Sequence, residues 1–173
     1  AAKNPQNNTA TAATADLGAF AYGNAQATAK DGVTVIENKD VKLTINNKGG
    51  DLKEVLLKQF KTYESMPVYL IKDKNAIFAL NFKTTQGQEL NTQQLYFEPS
   101  LSQKDGKQLL SMKVKTGENS YLEYVYTLPA EGYMVDVAVR SQGLSGVLNT
   151  QNPIELVWGL KARRMEKSVT YEN

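Results

Sequence analysis

Between Val33 and Leu160 apolar and polar residues alternate in one short run after another, and turn residues close each run. A period of two places every second side chain on the same side of an extended strand, so each run describes a strand with one dry face. Val41, Leu43 and Ile45 alternate with Lys42, Thr44 and Asn46. Asn46-Asn47-Lys48-Gly49-Gly50 then breaks the pattern. Asn and Gly tolerate positive φ at little steric cost, so Asn47, Lys48, Gly49 and Gly50 predict a tight structural turn. Leu52, Val55 and Leu57 resume the apolar pattern. Val33 to Phe60 therefore predicts strand, turn at Asn38-Lys39-Asp40, strand, glycine turn, strand.

The same signals continue. Pro67 marks the edge of a strand at Val68 to Ile71, and Ala76 to Phe82 is a further apolar run. Thr84 to Thr92 predicts a polar loop, and Leu95-Tyr96-Phe97 is a short aromatic segment closed by Pro99. Lys104-Asp105-Gly106-Lys107 is a strong hairpin signal. Three runs then form an antiparallel meander. In them Leu110, Met112 and Val114 share a face, as do Leu122, Tyr124, Tyr126 and Leu128, and Tyr133, Val135, Val137 and Val139. After a polar loop from Ser141 to Thr150, Ile154, Leu156, Trp158 and Leu160 alternate in a last strand. Lys161 to Lys167 is basic, and Val169 to Tyr171 opens a further segment. The pattern predicts an all-β antiparallel sandwich, with Leu43, Ile45, Val135, Val137, Leu156 and Trp158 buried. A stop in mid-pattern predicts missing strands.

Residues 1–30 differ, being rich in Ala, Asn, Thr and Gln, and predict a low-complexity linker ahead of a β domain over 31–173. A short helix is expected near 14–22, capped by Thr14, with Leu17, Phe20 and Ala21 on one face and Gly23-Asn24 as its stop. Its polar face lacks the lysines and arginines of a membrane-surface helix. No leader with basic and apolar regions opens the chain, and Ala1 in place of Met suggests a piece cut from a longer protein. No apolar run approaches the ~20 residues that cross a bilayer.

Composition removes several chemistries. The 173 residues hold no cysteine and no histidine, so disulfides, thiol chemistry and the commonest general base and metal ligand are absent. With 20 basic and 18 acidic residues, the net charge of +2 offers no nucleic-acid footprint. Lys48-Gly49-Gly50 lacks the flanking spacing of a phosphate loop. Glu54, Glu98, Glu123, Asp136 and Glu155 lie on or beside strands, and Glu123 and Asp136 fall on adjacent strands of one hairpin, the one place where an acid–base pair for glycoside chemistry would form. Solvated faces account for each of them. Arg163-Arg164 could meet acidic lipid head groups. The best contact candidates are Tyr121, Tyr124, Tyr126 and Tyr133, which either pair across strands or line a groove for an extended peptide or a sugar.

Several segments, in order, resemble a known family. Glu37-Asn38, Val41-Lys42-Leu43-Thr44-Ile45, Asn47-Lys48-Gly49-Gly50, Val55-Leu56-Leu57-Lys58 and Phe60-Lys61-Thr62-Tyr63 are similar to the opening of the large periplasmic domain of the YidC family of membrane protein insertases. Tyr124 to Leu128 followed by Gly132 to Asp136 resembles its central hairpin. Leu156-Val157-Trp158 with Glu166-Lys167-Ser168 resembles a later strand and loop. Gly18-Ala19-Phe20 resembles Bacteroidetes forms, where a low-complexity linker follows the first membrane helix. The order and spacing of these segments, from Gly18 to Asn173, carry the resemblance.

The resemblance implies an incomplete β-supersandwich akin in fold to galactose mutarotase, with no catalytic residue, metal or cofactor. It implies a parent protein that inserts and helps fold inner-membrane proteins at the periplasmic face of the bacterial inner membrane. The implied partners are Sec translocon subunits and nascent membrane proteins, with the membrane reached through helices outside this chain. Mutarotases use a histidine and a glutamate, and this chain has no histidine. Two other readings remain at this point: a carbohydrate-binding or carbohydrate-active sandwich, and an interaction module whose strand edges pair with a partner.

Overall fold

Asp105 (φ 51°) and Gly106 (φ 73°) close a two-residue hairpin loop, the turn whose twist matches that of the strands it joins. That turn sets the register of the central sheet. The computed structural model describes residues 17–26, 28–168 and 170. Its strands are β1 (Val33–Glu37), β2 (Val41–Asn46), β3 (Leu52–Lys61), β4 (Pro67–Ile71), β5 (Ala76–Lys83), β6 (Glu89–Asn91), β7 (Glu98–Lys104), β8 (Lys107–Lys115), β9 (Tyr121–Leu128), β10 (Asp136–Gln142) and β11 (Glu155–Leu160). They form three antiparallel sheets: β1-β2-β3-β4, β10-β9-β8-β7 and β11-β5-β6. The architecture is an all-β sandwich.

One core serves all three sheets. Ile36, Val41, Leu43, Ile45 and Val55 come from the first, Leu110, Met112, Val114, Leu122, Tyr124, Tyr126 and Leu128 from the second, and Leu80, Phe82 and Leu90 from the third. Burial of such side chains contributes roughly 1.5–3 kcal/mol each. Polar latches join the sheets at their ends. The Asn38 amide donates to the carbonyls of Pro129 and Gly132 (3.0 and 2.9 Å), and the Gly132 amide donates to Asp40 Oδ2 (2.7 Å).

The glycine turn between β2 and β3 sits inside this core. Gly50 (φ 69°) lies so close to the aromatic rings that an added Cβ would stand 3.0 Å from Tyr124 and 3.2 Å from Phe97. The Tyr126 hydroxyl donates to the Gly50 carbonyl at 2.6 Å.

At the other end, a 3-10 turn (Gly18–Phe20) runs into a one-turn helix, α1 (Ala21–Asn24). Leu17 and Phe20 are buried, and the Phe20 ring packs 5.1 Å from Phe82. The expected cap Thr14 lies outside the described residues.

Four expectations need correction. Thr84 to Thr92 is not all loop, because three residues form β6, and Asn91 then caps a 3-10 turn by accepting from the Gln93 amide. Pro99 does not close a strand but lies within β7, where an edge position needs no amide donor. The third meander strand starts at Asp136, leaving Tyr133 in the preceding loop, and Val135 and Val137 are only partly buried. Leu156 (54% exposed) and Trp158 (67%) are not buried at all. Both share the core-facing side of sheet β11-β5-β6 with Phe78 and Leu80, opposite which they pair. That side is covered only in part at β11, where a small pocket separates Trp158 and Leu160 from Leu52, Ile71 and Val137.

Candidate interaction surface

The four tyrosines proposed from sequence fall into different environments. In β9 the even positions point inward, so Tyr124 and Tyr126 are core residues. Tyr124 stacks on Phe97 (4.9 Å between centroids) and meets the Phe78 ring edge-on (5.3 Å). Its hydroxyl lies buried beside Thr92 and Asp51 without a hydrogen bond, and burial pushes its ionisation up to about 12. Burial pushes the Tyr126 hydroxyl higher still. Neither ring has surface to offer a partner.

Tyr121 faces the other way. The Lys113 ammonium stands 4.2 Å from its ring centre, and its hydroxyl donates to Gln142 Oε1 at 3.1 Å. Tyr133 is 44% exposed and packs against Phe60 (5.8 Å). Tyr121 pairs with Gln142 at one end of the β9–β10 ladder, whereas Tyr133 precedes the other end, where Asp136 meets Thr127. The ladder between those two ends is about 20 Å long at ~3.3 Å per residue. The two accessible tyrosines do not line one groove.

The carboxylates do not assemble either. Glu123 lies opposite Arg140 and Asp136 opposite Thr127, four positions along the strand and about 13 Å away. Glu123 is nearly buried on the outer face, where it accepts from Ser111 Oγ and lies 3.8 Å from Lys113. Glu98 pairs with Lys115 at 2.8 Å, and Glu155 accepts from the Asn81 amide at 3.0 Å. Among the described residues no three histidine, cysteine, aspartate or glutamate side chains converge as a metal cage. Arg163 is held by Asp73 (2.8 Å) and by the Lys72 carbonyl, and Arg164 by the carbonyls of Glu166 and Lys167. Both arginines are exposed.

Asp51, next to the glycine turn, is a half-buried carboxylate. Burial pushes its carboxyl above the usual aspartate value, against the pull of the Asn46 amide at 2.9 Å.

Two concave regions flank sheet β11-β5-β6. An open cleft of about 740 Å³ is lined by Asn81, Asn91, Gln94, Asn152 and Glu155. Amides of this kind suit a polar ligand, but the lining's single ring, Phe82, is buried, so a sugar finds no face to stack on. On the other side a small apolar pocket of about 70 Å³ lies among Leu52, Ile71, Phe78, Val137, Trp158 and Leu160. It opens at the bare face of β11. Sequence alternation identified the residues of that face, yet held no signal that the face would be uncovered.

A family profile described as the YidC periplasmic domain matches residues 33–173. The membrane protein insertase YidC of Parabacteroides distasonis is 34% identical over 153 residues, covering 88% of this chain and 24% of that protein. That of Bacteroides fragilis is 32% identical over 145 residues, with 83% and 23% covered. That of Cytophaga hutchinsonii is 33% identical over 131 residues, with 76% and 21% covered. The chain thus spans about a quarter of the length of these relatives. No solved structure matches it. No helix among the described residues is long and apolar enough to cross a membrane. With a family profile that matches residues 33–173, the chain belongs to the YidC periplasmic domain family.

Proposed function

We propose that this chain is a non-catalytic module of a membrane protein insertase, standing at the periplasmic face of the bacterial inner membrane. In this reading residues 1–30 link it to the rest of the protein and 31–173 form its working part. It assists insertion and folding of nascent membrane proteins by contacting their extended segments or subunits of the Sec translocon. It needs neither metal nor cofactor and meets no nucleic acid. The observation that carries the reading is the family match across 33–173, together with relatives named as insertases. Two features of the surface support it. The carboxylates are dispersed or paired with cations, an arrangement unsuited to acid–base work. Free strand edges offer backbone groups to any extended chain.

Photo-crosslinking tests the reading. A photoreactive residue at Tyr121 or Tyr133, in the whole insertase that carries this chain, should capture a nascent membrane protein or a translocon subunit during synthesis. Absence of any such product at both positions, with insertion unchanged on deleting residues 33–173, would contradict it.

A further inference from the structure

Residues 17–26 form no strand, yet they are built into the sandwich. Leu17 and Phe20, three positions apart, fall on one side of the 3-10 turn and are buried in the common core. Phe20 packs on Phe82 of the third sheet. Further along, Gly23 of α1 lies against the end of β8 in the second sheet. An added Cβ there would stand 2.7 Å from the Lys115 carbonyl oxygen and 3.1 Å from its amide nitrogen. Asn24 then reaches the segment between β6 and β7, which joins these two sheets. Its side-chain Oδ1 accepts from the Tyr96 amide at 3.0 Å, and its Nδ2 donates to the Gln94 carbonyl at 3.3 Å.

A groove recognises a short peptide by the same means. Two apolar anchors fill the gap between the sheets, and a glycine lets the backbones touch. One side-chain amide pairs with an extended segment as a backbone peptide unit would. Asn24 makes the hydrogen bonds that tie 17–26 to the sandwich. The matched family profile begins at residue 33, so the segment stands outside it.

We propose that the seam between the second and third sheets is a peptide-binding site, and that residues 17–26 are its ligand, docked in cis as a clasp. The site takes a short helical turn with Leu and Phe three apart and an Asn four places after the Phe. Docking moves the point where the preceding chain leaves the sandwich from the start of β1 to Leu17, on the seam. Residues 17–26 then belong to the module and not to the linker, and the clasp fixes the direction in which the linker departs. That consequence rests on residues 1–30 being a linker, whereas the docking stands on the contacts alone.

Cleavage of the 173-residue chain at a protease site inserted between Ala29 and Lys30 tests the docking. The released N-terminal piece should stay on the sandwich through gel filtration at about 100 μM, and an excess of a synthetic peptide of residues 17–26 should displace it. The same peptide with Phe20→Ala or Asn24→Ala should compete at least about tenfold less well. Gly23→Ala in the uncut chain gives a second readout. Alanine favours an isolated helix over glycine, so an undocked segment would gain order from the change. In the docked clasp the added Cβ meets the Lys115 backbone. The Phe20 and Ala25 amides, which donate to the Leu17 and Ala21 carbonyls, should therefore lose protection from hydrogen exchange while β8 and β9 keep theirs. A released piece that separates at about 100 μM from a sandwich still folded by circular dichroism overturns the proposal. So does equal competition by the parent and Phe20→Ala peptides, or unchanged or greater protection of Ala25 in Gly23→Ala. Should cleavage unfold the sandwich, the exchange readout decides alone. Each readout is independent of insertion, so failure here leaves the insertase reading standing.

Discussion

Strands β9 and β11 carry the same kind of pattern and meet opposite fates. Leu122, Tyr124, Tyr126 and Leu128 alternate in one, and Leu156, Trp158 and Leu160 in the other. The first set is buried to 3% exposure or less, and the second is 54–67% exposed. Their neighbours make the difference. β9 has a strand on each side, and the glycine turn, Phe97 and Phe78 lie over its inner face. β11 has one neighbour, and of its inward side chains Trp158 meets Phe78 edge-on at 5.4 Å. Alternation reports which residues share a face, whereas what covers the face is decided by distant segments of the chain.

Truncation of one ring in each strand sharpens that contrast most. Tyr124→Ala should cost about 3–5 kcal/mol, as large cavities in aromatic cores do. Trp158→Ala should cost less than about 1 kcal/mol, since it loses only an edge contact. Urea denaturation of both variants at low concentration measures the two. Equal costs would break the comparison.

Gly50→Ala tests what covers β9. A Cβ there meets Tyr124 and Phe97 and forces an L residue to positive φ. Overpacking costs about 1–3 kcal/mol, and the left-handed conformation about 1–2 more. The same change at Gly106, also at positive φ but with open space around it, should show only the conformational part. A urea midpoint for Gly50→Ala no lower than that for Gly106→Ala would mean the turn is not packed under the tyrosines.

The two buried hydroxyls should separate next. Tyr126→Phe strips the Gly50 carbonyl of its donor and should cost about 1 kcal/mol or somewhat more. Tyr124→Phe removes a hydroxyl without a hydrogen bond and should be neutral or slightly stabilising. Denaturation midpoints of the pair decide it, and a reversed order would contradict the placement of both rings.

The smallest expected effect is a pH dependence. The Asp51 carboxyl is raised above its unfolded value, so the folded state holds its proton more tightly. Its contribution is fully present below the usual aspartate pKa and is lost as pH rises through the raised one. Asp51→Asn, which keeps an acceptor for Asn46, should therefore match the parent at low pH and gain on it toward neutrality. A gain that grows as pH falls would have the wrong sign.

Much of this fold was legible from short-range chemistry. Asp105-Gly106 fixed a hairpin because few residue pairs accept two positive φ angles in succession. Asn46 to Gly50 was legible as a turn for the same reason. Leu43 and Ile45 were legible as core because their strand is flanked on both sides. β6 was not, since three residues in a polar run leave no periodicity to read. Pro99 misled because a proline interrupts a central strand but not an edge one, and edge status is a property of the assembled sheet. The tyrosines of β9 look alike in sequence, and only the inward turn of Tyr124 and Tyr126 separates them from Tyr121. The bare face of β11 was read as core, because its spacing equals that of β9.

Residue-resolved hydrogen exchange at high dilution tests this contrast most directly. Slow exchange is expected along β9, and alternation along β11, with Val157, Gly159 and Lys161 protected by β5 and Leu156, Trp158 and Leu160 exchanging fast. Protection of Leu156, Trp158 and Leu160 equal to that of Leu122 to Leu128 at every dilution would contradict the account, because that edge and its apolar face would then be covered within a single chain.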